Sequence, residues 1–235
     1  MHLRIKLVFA ASIALALVAA RGAYAAPQED LNSVLRRLDA AAAGFHSTSA
    51  DFEFVTEQTD PIYDKDVQKG AVYYKRNGKA FQMAAHIREE NGKPVPKDLT
   101  YSGGKITLYE KLANQVHVRE AAKYESYLLL GFGASGKELA GKWDIRYLGS
   151  ETLTDGKAGV KTEKLELVAK DPDVRKMFPK VTIWVDPARA VSLKQVFDEG
   201  PGQKRTCLYF NIKTNLTLPG SDFTFKTDSQ TQYVK

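Results

Sequence analysis

One stretch of this chain spells a cofactor motif. Gly131-Phe132-Gly133-Ala134-Ser135-Gly136 matches the G-x-G-x-x-G of dinucleotide-binding folds. That chemistry needs a parallel strand before the glycines and a long helix after them, so that a pyrophosphate meets a helix N-terminus. The flanking residues show neither pattern, and a turn between two short helices accounts for the glycines. Metal chemistry fares no better. His46, His86 and His117 have no partner at i,i+4 and no acids at ligand spacing, and the single cysteine, Cys207, excludes a cysteine-rich zinc module and a disulfide scaffold. Asp171-Pro172-Asp173 begins like a calcium loop without its remaining ligands and reads as a turn. Hydrolytic chemistry would need a G-x-S-x-G elbow or a serine with local support, and neither occurs. Cys207 sits in a strand pattern with no base beside it and reads as a small packed residue. No catalytic residue, cofactor or metal is therefore nominated.

Arg76 is the remaining polar residue of interest. It ends a strand pattern on the face shared by Val72 and Tyr74. A solvated strand-end arginine is the plain interpretation. The sharper one is a latch at the rim of an apolar cavity, its five fixed donors bonding helix or loop carbonyls until a ligand enters.

The elements that would position these residues follow from composition and periodicity. A 235-residue chain with 43% hydrophobic and 26% charged residues is neither a disordered tail nor a collagen-like repeat. Residues 1–25 have the form of a cleaved export signal: Arg4 and Lys6, an apolar stretch over 7–20, then Ala23-Tyr24-Ala25. That stretch is shorter than the roughly 20 residues of a membrane span, and no cysteine follows it to carry a lipid. Its removal takes Arg4, Lys6 and Arg21, so the formal balance falls from 34 − 28 = +6 to 31 − 28 = +3. That balance is too mild for a nucleic-acid footprint. The expected product, residues 26–235, is one soluble exported domain and a monomer.

This domain opens with a helical pattern, Leu31, Val34, Leu35, Leu38, Ala41, Ala42 and Phe45 recurring at three- and four-residue steps. The period then changes to two. Runs at 51–57, 70–76, 79–89, 98–102, 105–110, 114–119, 143–148, 160–169, 180–186, 191–198, 204–213 and 222–226 are separated by turn signals such as Asn77-Gly78 and Asp155-Gly156. The expected fold is mainly β with helices (α+β), one curved antiparallel sheet of about eleven strands forming an open or partly closed barrel. The single long interruption, 121–141, reads as one or two short helices. Several strands are apolar on both faces: Val181, Ile183 and Val185 oppose Thr182 and Trp184, and Leu208, Phe210 and Ile212 oppose Cys207 and Tyr209. Helices covering the concave face would leave either a hydrophobic cavity or a plain packed core.

This order of parts resembles the LolA-type periplasmic carriers, the outer-membrane lipoprotein-sorting proteins. The resemblance is carried by the opening helix leading into Ser49-Ala50-Asp51-Phe52-Glu53-Phe54, by Gly70-Ala71-Val72-Tyr73-Tyr74-Lys75-Arg76 with Phe81 after a short turn, and by Tyr101-Ser102-Gly103-Gly104-Lys105-Ile106-Thr107-Leu108-Tyr109. Ile183-Trp184-Val185-Asp186-Pro187, the strand at 204–213 and Phe223-Thr224-Phe225 continue it. Each motif is loose; their order along about 200 residues is more specific. The resemblance implies an unclosed β-barrel with a helical lid over an apolar cavity. It also implies a function without chemistry, in which acylated lipoproteins pass from an inner-membrane transporter to an outer-membrane receptor. In that family an arginine at the position of Arg76 latches the lid, although Asn77 follows here where such carriers often have proline. The cavity would be lined by Leu31, Leu35, Leu38, Phe52, Phe54, Tyr74, Phe81, Met83, Leu128, Leu129 and Trp184. Two other functions remain open from the sequence: a lipid- or lipoprotein-sensing module of the same architecture that regulates a partner, and an exported lipid hydrolase, for which no nucleophile and base can be paired.

Overall fold

Asp30 accepts a hydrogen bond from the Ser33 amide at 2.6 Å and so caps the first helix, α1 (Leu31–Ala43). Gly44 ends it, donating its amide to the Ala41 carbonyl. The computed structural model describes residues 30–78, 80–128 and 130–234. The expected signal segment and Leu129 lie outside them.

After α1 the chain forms strands joined by tight turns: β1 (Ser47–Gln58), β2 (Asp64–Asn77), β3 (Ala80–Glu90), β4 (Lys93–Ser102), β5 (Lys105–Glu110) and β6 (Gln115–Glu120). The interruption that follows holds α2 (Glu125–Leu128) and α3 (Gly136–Lys142). A second run comprises β7 (Trp143–Asp155), β8 (Ala158–Ala169), helix α4 (Pro172–Met177), β9 (Lys180–Asp186), β10 (Val191–Gly200) and β11 (Gln203–Thr214), and β12 (Gln232–Val234) comes last. Together they make one sheet in the order β12-β6-β5-β4-β3-β2-β1-β11-β10-β9-β8-β7. β1 is the seam, pairing antiparallel with β2 on one side and β11 on the other and so joining two meanders. β12 and β7 are the free edges, so the barrel is unclosed. The tip of β7 curls back toward β11, where Asp155 accepts the Ile212 amide at 3.0 Å and the Arg189 guanidinium at 2.8 Å.

Three expectations need correction. The segment at 222–226 is no strand. Gly220–Phe223 is a 3-10 turn, and residues 215–231 cross the outside of the sheet instead of extending it. Successive contacts trace that path: Asn215 to Ser47 on β1, the Asp222 carbonyl to His86 on β3, and the Phe225 ring on Tyr109 of β5 at 5.2 Å. The last strand is instead β12, parallel to β6. Asp171-Pro172-Asp173 starts helix α4: Asp171 accepts the Asp173 and Val174 amides, and the proline occupies the first turn, where its missing N–H costs nothing. Finally, Ile212 joins the Cys207 and Tyr209 face. Asn211, at φ +55°, shifts the alternation of β11 by one residue.

The interior divides into two clusters. In one, Val34 and Leu38 of α1 and Leu139 of α3 pack on Trp143, Leu165, Val181 and Ile183. In the other, Phe52, Val72, Tyr74, Met83, Cys207 and Tyr209 face one another across β1, β2, β3 and β11. Among the described residues no helix is long and apolar enough to cross a membrane. Leu165 has no exposed surface whereas Leu208, on the outer face of β11, is 37% exposed. Leu165→Ala should therefore cost about 3 kcal/mol in urea denaturation, as cavity-forming leucine substitutions do. Leu208→Ala should stay within about 0.5 kcal/mol.

Candidate functional site

The second cluster does not fill the space it encloses. A cavity of about 190 Å³ remains, and period-two alternation brings each wall side chain to it. β1 contributes Phe52 and Phe54; β2 contributes Gln68, Val72 and Tyr74; β3 contributes Met83, Ala85 and Ile87. Leu99, Gln195, Phe197, Cys207 and Tyr209 complete the walls, and Tyr127 and Leu128 of α2 form the roof. No ionisable acid, lysine, arginine or histidine is among these residues.

Of the lining expected from the sequence, Phe52, Phe54, Tyr74, Met83 and Leu128 are at the cavity. Phe81 stands beside it, stacked on Tyr74 at 5.7 Å. Leu31, Leu35 and Leu38 belong to the other cluster, because α1 lies over the second meander. Trp184 points away from the cavity, on the face of β9 opposite Ile183. There its indole N–H donates to Glu151 at 2.6 Å, and the Lys164 and Lys194 ammonium groups lie 4.8 and 4.6 Å from its ring. The walls from β10 and β11 are absent from the expected lining. Their alternation is visible in sequence, but nothing local says which face turns inward.

The lid is fixed to the sheet by the Gly131–Gly136 stretch, whose glycines serve close approach and not a phosphate. Phe132 is buried between Tyr74, with ring centroids 4.1 Å apart and nearly parallel, and Tyr209, at 4.7 Å and edge-on. The Ser192 amide donates to the Gly131 carbonyl at 2.6 Å, and the Gly133 amide donates to the Ala190 carbonyl at 2.8 Å. Gly131 and Gly133 have φ of +79° and +70°, and a Cβ would lie 1.9 Å from Ser192 Oγ and 2.2 Å from the Phe45 ring, respectively.

Arg76 reaches α3, although its partner is a carboxylate and not a carbonyl. Its Nη1 lies 3.1 Å from Glu138 Oε1. The Glu138 carboxylate also accepts the Ser135 amide at 2.9 Å, while Ser135 Oγ accepts the Glu138 amide at 3.1 Å, a reciprocal cap on α3. Burial works to raise the Glu138 carboxyl, but the Ser135 amide and the Arg76 guanidinium outweigh it and hold the group below its ordinary 4.5. A carboxyl lowered by folding adds stability above its unfolded value and loses it as the pH falls through the lowered folded value. Glu138→Gln should therefore speed amide exchange in α3 at neutral pH. Its difference from the native protein should vanish under acid conditions that protonate Glu138. Equal protection at neutral pH would show that the ion pair holds nothing.

The cavity's own polar groups stay neutral. Burial pushes the phenols of Tyr74, Tyr127 and Tyr209 upward, and pushes the Cys207 thiol up to about 12. A thiol so placed is not a nucleophile near neutral pH. Iodoacetamide at mildly alkaline pH should leave Cys207 unmodified in the folded protein and alkylate it fully in denaturant, as read by intact mass. Among the described residues no group of three or more His, Cys, Asp or Glu is placed to hold a metal ion.

No protein-family model matches the sequence, and no curated protein is similar to it at the sequence level. Solved structures do share its architecture. An uncharacterised conserved protein from Thermus thermophilus aligns with a TM-score of 0.52 at 14% identity, over 88% of this chain and 99% of that one. MucB aligns at 0.51 and 14% identity over 86% of this chain, which spans 64% of MucB. A putative outer membrane lipoprotein-sorting protein domain from Vibrio parahaemolyticus aligns at 0.45 and 14% identity, over 82% and 95% of the two chains. At such identities the first two likenesses establish a common fold.

Proposed function

We propose that this protein is a periplasmic carrier that takes acyl chains of lipoproteins, or of other lipids, into the lidded cavity and moves them from the inner to the outer membrane. The observation that carries this reading is the cavity itself, walled by apolar and neutral side chains and roofed by a segment that a few contacts hold in place. Each methylene exposed to water costs about 0.8 kcal/mol, so a chain of roughly 15 methylenes needs shielding worth about 12 kcal/mol to cross an aqueous compartment. At about 190 Å³ the cavity is smaller than the ~300–1,000 Å³ of ordinary ligand sites, so loading requires the lid to lift. Helix α2 has four residues and no independent stability, which makes the roof the element that yields. An inner-membrane transporter as donor and an outer-membrane receptor as acceptor belong to this proposal. So does export directed by residues 1–25.

Extraction of the native protein from the periplasm, followed by mass spectrometry, should find co-purifying lipoproteins or lipids. An empty protein that refuses fluorescent acyl probes would overturn the carrier reading. Loading without delivery to acceptor membranes would favour the sensing module instead. Arg76→Leu should keep the fold and speed probe uptake and release severalfold; unchanged transfer in a reconstituted assay would remove Arg76 from the lid mechanism.

A further inference from the structure

The cavity lining is not uniform, and the difference bears on what it holds. Gln68 and Tyr74 both line it from β2, six residues and about 20 Å apart. At the Gln68 end the charged groups begin. The Gln68 amide donates to Glu90 at 3.0 Å, Glu90 pairs with Lys97 at 3.0 Å, and Tyr127 neighbours the Arg205–Glu199 pair, itself 2.9 Å apart. Each cation there already has a carboxylate.

Around the Phe132 ring the cavity holds four buried polar side chains, Tyr74, Tyr209, Gln195 and Cys207, the last two in the same cross-strand row as Gln68. Their mutual bonding is weak. Tyr209 Oη donates to Gln195 Oε1 at 3.4 Å, well beyond the usual O–H···O length. Tyr209 also contacts the Cys207 thiol, a poor partner, and the Tyr74 hydroxyl. Gln195 Nε2 donates to the Leu130 carbonyl of the lid, and its amide carries a second N–H. Two phenols and an amide thus converge on one patch of an apolar cavity, joined to one another by long or poor hydrogen bonds, and no cation joins them.

We infer that this polar cluster beside Phe132 is a subsite for one uncharged hydroxyl of the ligand, so that the cavity selects a lipid bearing a hydroxyl over an ionised fatty acid. This rests on the carrier reading and adds a ligand class to it. A hydroxyl both donates and accepts, so it can replace the long Tyr209–Gln195 contact with two ordinary ones. A ligand without it leaves those buried groups underbonded, which is how a polar subsite discriminates. A carboxylate would be stripped of water beside neutral groups only. The hydroxyl can come from a long-chain alcohol or from a hydroxylated acyl chain.

The test is displacement of a bound naphthylamine dye by four ten-carbon ligands: decanol, a mid-chain hydroxydecanoate methyl ester, methyl decanoate and decanoate. At least one hydroxyl ligand should bind about tenfold more tightly than methyl decanoate and decanoate, the worth of one good hydrogen bond. Whichever of the two binds better identifies the source. Tyr209→Phe and Gln195→Met should each erase the preference, with methyl decanoate affinity measured alongside in each variant and folding verified by circular dichroism. Equal affinity for all four ligands, or a preference that survives in both variants, overturns the subsite while the carrier reading stands. A protein that binds no dye overturns both.

Discussion

The ring of Phe132, held between Tyr74 and Tyr209, is the contact on which the closed form depends. Around it the sequence is shaped to permit the insertion. Glycines on either side remove Cβ atoms that would strike Ser192 and Phe45, and two backbone hydrogen bonds fix the turn against the 190–192 segment. Two aromatic pairs at about 0.5–1.5 kcal/mol each, beyond the area they bury, outweigh a half-exposed ion pair worth about 0–1 kcal/mol. Phe132 therefore sets how firmly the lid is seated. The Arg76–Glu138 contact adjusts that seating at the rim.

The proposed carrier role asks two opposed things of one interior. An ordinary core gains from close packing, whereas a cavity that accepts and returns a lipid must remain underfilled. Here the well-packed residues are segregated. Trp143, Leu165 and Ile183 under α1 form a conventional core, and the open volume lies under α2, the shortest helix of the four described. Stability resides in the packing under α1 and adaptability in the space under α2.

The architecture was largely legible in the sequence, because period-two runs punctuated by Asn-Gly and Asp-Gly turns specify antiparallel hairpins whatever their partners. Cavity walls are a different matter. Phe52 and Tyr74 could be nominated from runs where one face is plainly apolar. On β11 both faces carry apolar groups, and only the pairing of β1 with β11, set by contacts 150 residues apart, turns Cys207 and Tyr209 inward. Trp184 misleads for a related reason. A large aromatic residue on an apolar strand signals burial, and two lysines and a glutamate can bury one from the solvent side. The glycine motif was misleading in its letters and informative in its physics, since close backbone approach is what glycines permit in either setting.

The lid has a second office that follows from the strand order. The chain passes from the first meander to the second through residues 121–142, while β1 holds the two together by hydrogen bonds along their shared seam. The roof is thus also a tether strung across the mouth of a folded sheet, with the seam as its spine. Any flexing of the spine changes the span that the tether must cover. The curvature of the sheet and the position of the roof therefore form one mechanical coordinate, and a load on the outer strands would act on the cavity without touching it.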